Sequence, residues 1–361
     1  ADPELALKAA KDAYKSGNGE SALFLARQVA EQHPHTAWYQ RALFVQELAL
    51  IRLDRSDEAD AAMLRVREEY PDVADYAVFQ LAEYHFSKAR FSRAAALYEL
   101  AMELNAGGPL VERAAYQRAA SLLNSFAYVP AIEAFEKCLK DHPRAESAPE
   151  AVLGLARALT AEAQLERAVS AYRDVWTRYP GTPADQAAER ELSELKAAGV
   201  EVPEYSVDET LDRGKNLSLL GRHDKAAEVF VRLLDRELPP SKRPEAMFRS
   251  GVASFKLGKR GDAVSILEKM VREYPAHPLT PEALYWIGRS YSKLNDWDRA
   301  TNTLQKLLDR CPESEWADDA LFHMGTIYRE TVDMKKAGHV YEQLARKYPD
   351  SRFADSALWW R

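Results

Sequence analysis

Apolar residues recur every three or four positions within short segments of this chain, and the segments themselves recur. This spacing predicts amphipathic helices, because side chains three and four residues apart lie on the same face of a helix. In each segment an Ala opens a helix that ends about twelve residues later at a Pro or another break. The predicted second helices of nine helix pairs begin at Ala22, Ala59, Ala94, Ala131, Ala168, Ala226, Ala263, Ala300 and Ala337.

These segments follow a fixed period. Pro34 and Pro71 are 37 residues apart, and 37 residues also separate Pro275 from Pro312 and Pro312 from Pro349. A period in this range is the signature of a solenoid made of stacked helical hairpins. The pattern therefore favours a protein that holds a partner over one that transforms a substrate.

Small residues occupy recurring places in the predicted helices. Gly288 and Gly325 lie inside first helices, where Gly costs about 0.5–1 kcal/mol relative to Ala. That cost is understandable if the neighbouring helix crosses so closely that no side chain fits. We expect Ala300 and Ala337 to form the other side of this contact.

Residues 281–317 and 318–354 are the two most regular units. The first contains Leu284, Ile287, Gly288, Tyr291, Ala300, Leu304, Leu307 and Pro312, and the second has Leu321, Met324, Gly325, Tyr328, Ala337, Tyr341, Leu344 and Pro349 at the same places. At these positions the sequence resembles the tetratricopeptide repeat, a pair of antiparallel helices. The resemblance implies an all-α fold, a right-handed superhelical solenoid of about nine helix pairs with a break near 181–207.

The break divides the predicted array. Residues 1–198 form a first array that ends in a polar capping helix, 199–207 form an extended linker, and 208–361 form a second array. An ordinary packing helix is the alternative interpretation of the stretch before the linker. Trp359 and Trp360 fall where the first helix of a tenth repeat would continue, so we expect the chain to be part of a longer protein.

Charge and composition exclude several classes of function. The net charge is −7 and the pI about 5.8, which gives no overall electrostatic reason to bind nucleic acid. No apolar run approaches the ~20 residues that a membrane span needs. No basic segment followed by an apolar stretch opens the chain, so we expect a secretory signal to be absent or already removed.

No residue pattern predicts catalysis, a cofactor or a metal site. Cys138 occupies a place that other repeats fill with apolar residues, so we expect it to be a small core residue. Cys311 precedes a Pro, where we expect partial burial. His33 and His35 form the closest histidine pair, but no Cys or carboxylate cluster accompanies them. We therefore expect no enzymatic activity from this chain.

The resemblance also implies a binding surface. In tetratricopeptide arrays the concave wall comes from the first helix of each pair, and aligning the repeats on Gly288 and Gly325 assigns its residues. The candidates are Phe248, Phe255, Lys256, Tyr285, Arg289, Lys293, Phe322 and Arg329 in the second array, and Phe79, Glu83 and Tyr116 in the first. Aromatic and cationic side chains together suit an extended peptide or a sugar polymer. The alternative is that the aromatic residues pack against the preceding repeat.

The turns between repeats carry a second resemblance. The segments 348–361 and 311–322 share a Pro-x-Ser-x-aromatic-Ala-x-x-Ala-Leu pattern, which resembles bacterial envelope tetratricopeptide proteins such as the assembly lipoprotein BamD and the Tol–Pal coordinators. Together with the mid-chain break and the Trp359–Trp360 ending, it resembles most the superhelical N-terminal region of soluble lytic murein transglycosylases.

That resemblance implies a periplasmic or envelope-associated bacterial protein whose partner is a protein, a peptide or peptidoglycan. No catalytic residue of those enzymes can be assigned. Their catalytic Glu-Ser is followed by Gly-Leu-Met-Gln, whereas Glu20-Ser21 and Glu146-Ser147 lie inside repeats and the chain has no Gly-Leu-Met-Gln segment. Two alternatives stay open, an envelope protein–protein scaffold and a cytoplasmic peptide-binding adaptor.

Overall fold

A computed structural model describes residues 2–360 of the chain, and within them it contains twenty α-helices, one 3₁₀ turn (Pro71–Val73) and no strand. The all-α prediction is therefore confirmed. The first eleven helices are α1 (Pro3–Lys15), α2 (Gly19–Gln32), α3 (Ala37–Arg52), α4 (Ser56–Glu69), α5 (Ala74–Ser87), α6 (Phe91–Leu104), α7 (Val111–Asn124), α8 (Tyr128–Asp141), α9 (Ala148–Ala161), α10 (Leu165–Arg178) and α11 (Pro183–Ala197).

The remaining helices follow a loop that begins after α11. They are α12 (Val207–Leu219), α13 (His223–Leu234), α14 (Arg243–Lys256), α15 (Arg260–Glu273), α16 (Thr280–Lys293), α17 (Trp297–Arg310), α18 (Ala317–Glu330), α19 (Met334–Lys347) and α20 (Ala354–Trp360). The chain forms two compact units, which we call the first unit (Ala1–Val175 and Thr182–Val202) and the second unit (Trp176–Gly181 and Pro203–Arg361).

Helices pack as hairpins within each unit. In the second unit α12 packs on α13, α14 on α15, α16 on α17 and α18 on α19, and the first helices α12, α14, α16 and α18 also pack on one another in order. In the first unit α1 packs on α2, α3 on α4, α5 on α6 and α7 on α8. Its first helices α1 and α3, α3 and α5, and α7 and α9 also pack on one another, and α11 packs on α9. Each unit thus contains a layer of first helices, which carries the predicted binding residues.

The second helices begin one turn earlier than predicted. Each starts three residues before its recurring Ala, as α17 does at Trp297 rather than at Ala300. The Ala is therefore a buried residue within the first turn, and Ala300 is 0% exposed. The predicted ends are close to those observed, because helix α17 stops at Arg310, two residues before Pro312.

Every hairpin turn contains one residue in the left-handed conformation. It lies five residues before the recurring Ala, and its φ is between 55° and 88°. Three of these residues are glycines, and six are not: Gly17, Asp54, Ala89, Phe126, Ala163, Gly221, Gly258, Asn295 and Val332. A side chain is disfavoured in this region, most of all a β-branched one. The tight turn is thus imposed by packing of the two helices rather than by local preference.

The small residue of each first helix lies twelve residues before the recurring Ala. It is Gly in the second unit and Ala in four of the five repeats of the first: Ala10, Ala82, Ala119, Ala156, Gly214, Gly251, Gly288 and Gly325. All four alanines are 0% exposed. The remaining repeat has Glu47 at this place, and it is also 0% exposed.

The contact partner of these glycines differs from the prediction. A Cβ added to Gly288 would lie 2.7 Å from the Cδ2 atom of Leu304, whereas the closest atom of Ala300 is its carbonyl oxygen at 3.5 Å. The side chain that fills the space above the glycine is therefore four residues beyond Ala300. Of Ala300, only the carbonyl oxygen is among the atoms nearest to that position.

The predicted capping helix corresponds to α11, which buries Ala184, Asp185 and Leu192. After it, the chain continues without helix until Ser206, whose hydroxyl accepts a hydrogen bond from the Glu209 amide in a capping box. The predicted boundaries at 198 and 208 stay a prediction.

Trp176 and Tyr205 connect the two chain segments of the second unit. Their rings stack with centroids 3.7 Å apart. The guanidinium of Arg213 lies 4.3 Å from the Trp176 ring and donates a hydrogen bond to the Trp176 carbonyl oxygen at 2.5 Å. Both residues belong to the second unit, which combines Trp176–Gly181 with the chain from Pro203 onward.

Candidate functional site

The first helices of the second unit bring several predicted binding residues onto one surface. Helix α14 supplies Phe255 and Lys256, α16 supplies Tyr285, Arg289 and Lys293, and α18 supplies Phe322 and Arg329. Lys256 and Lys293 are exposed, whereas Arg289, Phe322 and Arg329 are half-buried. We call these five accessible residues the first-helix surface.

Arg289 is the centre of this surface. Its guanidinium carbon lies 5.4 Å from the centre of the Phe255 ring, 5.8 Å from Tyr285 and 5.3 Å from Trp286. Rings and cations at such distances attract each other through the quadrupole of the ring. Three rings from two neighbouring repeats therefore hold one guanidinium in place, and they do so beneath a surface open to solvent.

The aromatic rings next to Arg289 are largely buried and lie beneath the accessible cationic side chains. Phe255 is 5% exposed, Tyr285 9% and Trp286 8%. Phe255 and Trp286 lie with ring centres 4.9 Å apart, and Tyr285 contacts Trp316 at 5.0 Å. A ligand at this surface would consequently meet the cationic groups first and the ring edges second.

Phe248 is buried, with 1% of its surface exposed, so its ring packs within the repeat. Phe322 stacks on Phe353 with ring centres 4.3 Å apart. Arg329 lies at the opposite end of the surface from α14, with its guanidinium carbon 3.5 Å from the centre of the Trp360 ring. The second unit therefore continues the pairing of cation and ring into α20.

The predicted binding residues of the first unit make contacts with other side chains of the same unit. Phe79 is 1% exposed and lies edge-on to Tyr98. The Glu83 carboxylate accepts hydrogen bonds from Tyr98 at 2.5 Å and from Gln117 at 3.0 Å, and it also pairs with Arg113. Tyr116 is half-buried beside Phe135, and burial raises the pKa of its hydroxyl. These side chains are therefore already engaged in contacts within the first unit.

Two contributors to the site were absent from the predicted set. Trp286 faces both Arg289 and Lys256, whose ammonium nitrogen lies 5.1 Å from the ring centre. Arg260, at the start of α15, has its guanidinium carbon 4.2 Å from the Phe255 ring. Its position in a second helix gave no signal, because the predicted surface comes from first helices alone.

The described part of the chain contains no group of three or more His, Cys, Asp and Glu side chains that could hold a metal ion. Neither cysteine forms a disulfide, and burial raises the pKa of the Cys138 thiol to about 11. Of the helices described, none has the length and apolar character to cross a membrane.

Comparison with known families agrees with the repeat pattern. Sequence profiles described as tetratricopeptide repeat match residues 150–182, 282–314 and 319–351, and a second profile of the same description matches residues 211–278. The matched segments are tetratricopeptide repeats. They include α14, α16 and α18, so the first-helix surface is carried by tetratricopeptide repeats.

Several solved structures resemble the fold at low identity. A chain of the Naa15/Naa10 structure bound to HypK-THB matches with 16% identity and a TM-score of 0.36 over 99% of this chain, which spans 65% of that chain. A tetratricopeptide repeat protein from Parabacteroides merdae matches with 14% identity and a TM-score of 0.40, covering 79% of this chain and 98% of its own.

YrrB, described as a TPR protein with an unusual peptide-binding site, matches with 17% identity and a TM-score of 0.37, covering 63% of this chain and 98% of its own. At these values the likenesses carry no argument about function. No curated protein sequence is significantly similar to this chain.

Proposed function

We propose that this chain is a non-catalytic helical-repeat scaffold that holds an extended segment of a partner protein on the first-helix surface. The observation that carries the proposal is the position of Arg289 over three rings of two successive repeats. A side chain held in this way loses little conformational freedom on binding, which favours affinity.

Buried rings beneath accessible cations are suited to an extended chain. The row from Lys256 through Arg289 and Lys293 to Arg329 crosses three tetratricopeptide repeats. A peptide that lies across it can place successive polar groups against successive helices. Binding surfaces of this kind are enriched in Arg and aromatic residues, which supply most of the energy at protein interfaces.

Selection of peptides from a random display library against the purified chain tests this proposal. We expect selected peptides to bind the wild-type chain and to lose affinity for the Arg289→Ala/Lys293→Ala double variant. The matched control is Lys306→Ala/Arg310→Ala, which removes two exposed cations from the second helix α17. Peptides that depend equally on both pairs, or on neither, contradict the proposed surface.

We further propose that the scaffold belongs to a bacterial envelope protein, with the superhelical part of a lytic murein transglycosylase as the specific hypothesis. The support is the shared turn pattern, in which Trp316 and Phe353 hold equivalent places. Sedimentation with purified peptidoglycan tests it: the transglycosylase hypothesis predicts binding by the wild-type chain. Binding to a protein partner without peptidoglycan would favour the envelope scaffold or the cytoplasmic adaptor.

A further inference from the structure

A groove of about 550 Å³ lies between the second helices α13 and α15, which both pack on α14. Val231 of α13 and Leu257 at the end of α14 line it and are 48% and 36% exposed. Ser254 lines it as well and is 6% exposed. We call this feature the Ser254 groove. Its exposed apolar wall is concave, which suits the side chain of a partner.

Three carboxylates border the Ser254 groove, Asp224 and Glu228 on α13 and Asp262 on α15. All three residues are exposed, and within the described part of the chain no Lys, Arg or His nitrogen lies within 4.0 Å of their oxygens. The described lining residues include one cation, Lys259. The groove therefore offers uncompensated negative charge beside an apolar wall.

Tyrosines replace Ser254 in the next two hairpins. Ser254, Tyr291 and Tyr328 each lie nine residues before the recurring Ala of their hairpin. In the first unit this place is also filled by large side chains, which are Leu50, His85, Leu122 and Leu159. Among the hairpins that follow another hairpin of their unit, the one with Ser254 thus has the smallest side chain at this place.

The Tyr291 ring is covered by a cation of its own hairpin. The guanidinium carbon of Arg299 lies 4.8 Å from the ring centre, and its Nε atom donates a hydrogen bond to the Asp296 carboxylate at 2.6 Å. The Tyr291 hydroxyl donates a hydrogen bond to the Glu268 carboxylate at 2.7 Å. Ring, cation and carboxylates are therefore paired within the chain.

The following hairpin repeats this pairing. A cavity of about 510 Å³ lies at the equivalent place between α17 and α19, with Tyr328 in its wall. The ammonium nitrogen of Lys336 lies 5.4 Å from the Tyr328 ring centre and 3.0 Å from the Asp333 carboxylate. The cation and the carboxylate of this cavity thus already have each other as partners.

The Ser254 groove has the opposite distribution of charge. Lys259 stands at the place of the paired aspartate of the next two hairpins, and Asp262 stands at the place of their paired cation. The groove consequently lacks both the ring and the cation with which those hairpins neutralise a carboxylate.

We propose that the Ser254 groove binds a segment of a partner protein that presents an aromatic side chain next to a Lys or Arg. In that complex the ring packs against Val231 and Leu257 beside Ser254, and the cation pairs with Glu228 and Asp262. The partner then supplies the two groups that the next hairpins supply themselves. This surface lies on second helices, so the inference does not rest on binding at the first-helix surface.

The charge of the groove decides the kind of occupant. Three carboxylates against one ammonium group repel the phosphates of a nucleic acid and of an anionic lipid. A basic side chain beside an aromatic one complements both the charge and the apolar wall. Aromatic residues and Arg are also the groups that supply most of the energy at protein interfaces.

Fluorescence anisotropy of the full chain with labelled helical peptides tests the inference. The probe is a peptide of about twenty Ala and Gln residues that carries Tyr and Arg four residues apart, on one helix face. One matched peptide has Gln in place of the Arg, and another has Ala in place of the Tyr. We expect the Tyr/Arg peptide to bind about three- to tenfold tighter than the first, because ion pairs with exposed carboxylates are lost.

Loss of the ring should weaken binding at least about tenfold, because the apolar wall then stays open to solvent. Raising the ionic strength from about 0.05 to about 0.3 M should reduce the advantage of the Tyr/Arg peptide over the Gln peptide. It should leave the effect of the ring nearly unchanged.

Charge-removing variants locate the binding site. Glu228→Gln/Asp262→Asn keeps the shape of the groove and should reduce binding of the Tyr/Arg peptide to that of the Gln peptide. The matched control is Glu313→Gln/Glu342→Gln, which removes two exposed carboxylates of the second unit outside the groove and should change nothing. Arg289→Ala/Lys293→Ala should also leave binding unchanged, so a failure of the first-helix surface is measured separately.

A triple variant closes the groove from within. Ser254→Tyr/Lys259→Asp/Asp262→Arg introduces the ring, carboxylate and cation of the next two hairpins. We expect a thermal unfolding midpoint at or above that of the wild type, and at least about tenfold weaker binding of the Tyr/Arg peptide. If this variant does not fold, the Glu228→Gln/Asp262→Asn variant still decides the outcome.

Absent or equal binding of the three peptides overturns the inference, as does an equal loss in the two carboxylate variants. Loss of binding in Arg289→Ala/Lys293→Ala overturns it too, because the peptide then occupies the first-helix surface. Sedimentation velocity tests a second copy of the chain as the occupant. If the wild type dimerises and the triple variant does not, the groove holds that copy and the inference is wrong.

Discussion

Gly288 in α16 lies against Leu304 in α17 so closely that a Cβ on the glycine would be 2.7 Å from the leucine Cδ2 atom. Leu304 is 0% exposed, so its side chain has no solvent to move into. The same contact, sixteen residues apart, joins Gly214 to Phe230, Gly251 to Leu267 and Gly325 to Tyr341. In each of these four hairpins of the second unit, a side chain of the second helix therefore occupies the space that a side chain at the glycine of the first helix would need.

Gly288→Ala is expected to destabilise the second unit. Overpacking against Leu304 costs about 1–3 kcal/mol, and the better helix propensity of Ala returns about 0.5–1 kcal/mol. The net loss should be about 1–2 kcal/mol in the free energy of unfolding. Chemical denaturation measures it.

Gly261→Ala is the control for that substitution, because a Cβ at Gly261 would meet no atom within 4 Å. It should be neutral or slightly stabilising. If Gly288→Ala is as stable as Gly261→Ala, the close contact does not determine how the hairpin packs.

Val332→Gly is expected to stabilise the second unit. Val332 adopts φ 63° and is 75% exposed, so a β-branched side chain is held in the left-handed region without compensating burial. Relief of that strain should raise the free energy of unfolding by about 1 kcal/mol.

The neighbouring Thr331 provides the matched control, since its φ of −89° is ordinary. Thr331→Gly should lower stability through the entropy of the unfolded chain. If Val332→Gly and Thr331→Gly change the denaturation midpoint equally, the turn is not strained at Val332.

Glu47→Ala is expected to stabilise the first unit. Both carboxyl oxygens of Glu47 are buried without a hydrogen bond, at a place where the other repeats have Ala or Gly. An unsatisfied buried polar group costs about 1–3 kcal/mol. Burial also raises the pKa of Glu47 from 4.5 to about 8.

The gain from Glu47→Ala should depend on pH. Because the folded protein holds the proton up to about pH 8 and the unfolded chain releases it near 4.5, the wild type is relatively most stable below pH 4.5 and loses stability as pH rises to 8. The loss is at most about 1.4 kcal/mol per pH unit. Thermal unfolding from pH 4.5 to 9 measures the difference between variant and wild type.

Glu31→Ala serves as the control, because Glu31 is an exposed carboxylate of the same unit. Its difference from the wild type provides the baseline for an exposed carboxylate at each pH. A flat difference for Glu47→Ala relative to that baseline would mean that Glu47 is ionised in the folded protein.

Thiol labelling should distinguish the two cysteines. Cys138 is 3% exposed with its pKa raised to about 11, whereas Cys311 is half-buried at the end of α17. At pH 8 a disulfide reagent should modify one thiol in the folded chain and two after denaturation. In the Cys311→Ser variant the remaining thiol, Cys138, should react only after the chain unfolds. Rapid modification of Cys138 in the folded chain, in the wild type or in this variant, would contradict the packing of α8.

The sequence predicted the helix ends and the helix pairs well, because Pro and small residues act through sterics that any packing must respect. It placed the starts of the second helices three residues late for a physical reason. Arg55, Arg90, Ala127 and Lys259 precede helices without a side-chain cap hydrogen bond. At these four starts no capping residue is present, so packing between the helices decides them. Helices α2, α17 and α19 do begin after capping residues, Asn18, Asp296 and Asp333, a start signal that the alanine spacing did not use.

The candidate site was predicted less completely. Arg289 and Lys293 could be assigned because their positions in the repeat place them on the first-helix layer. The burial of Phe79 and Phe248 depends on which neighbouring helix covers each ring, and spacing along one helix does not contain that information. Arg260 reaches the Phe255 ring of α14 from the second helix α15, a contact that only the folded arrangement of the two helices creates.

Hydrogen–deuterium exchange of the chain, with and without a bound peptide selected from the display library, shows which helices a partner segment covers. We expect added protection in α14, α16 and α18, centred on Arg289 and Lys293. Helices α15, α17 and α19 should be unchanged, apart from the first turn of α15, which contains Arg260. Protection confined to the second helices, or spread evenly over both units, would contradict a scaffold that binds its partner on the first-helix surface.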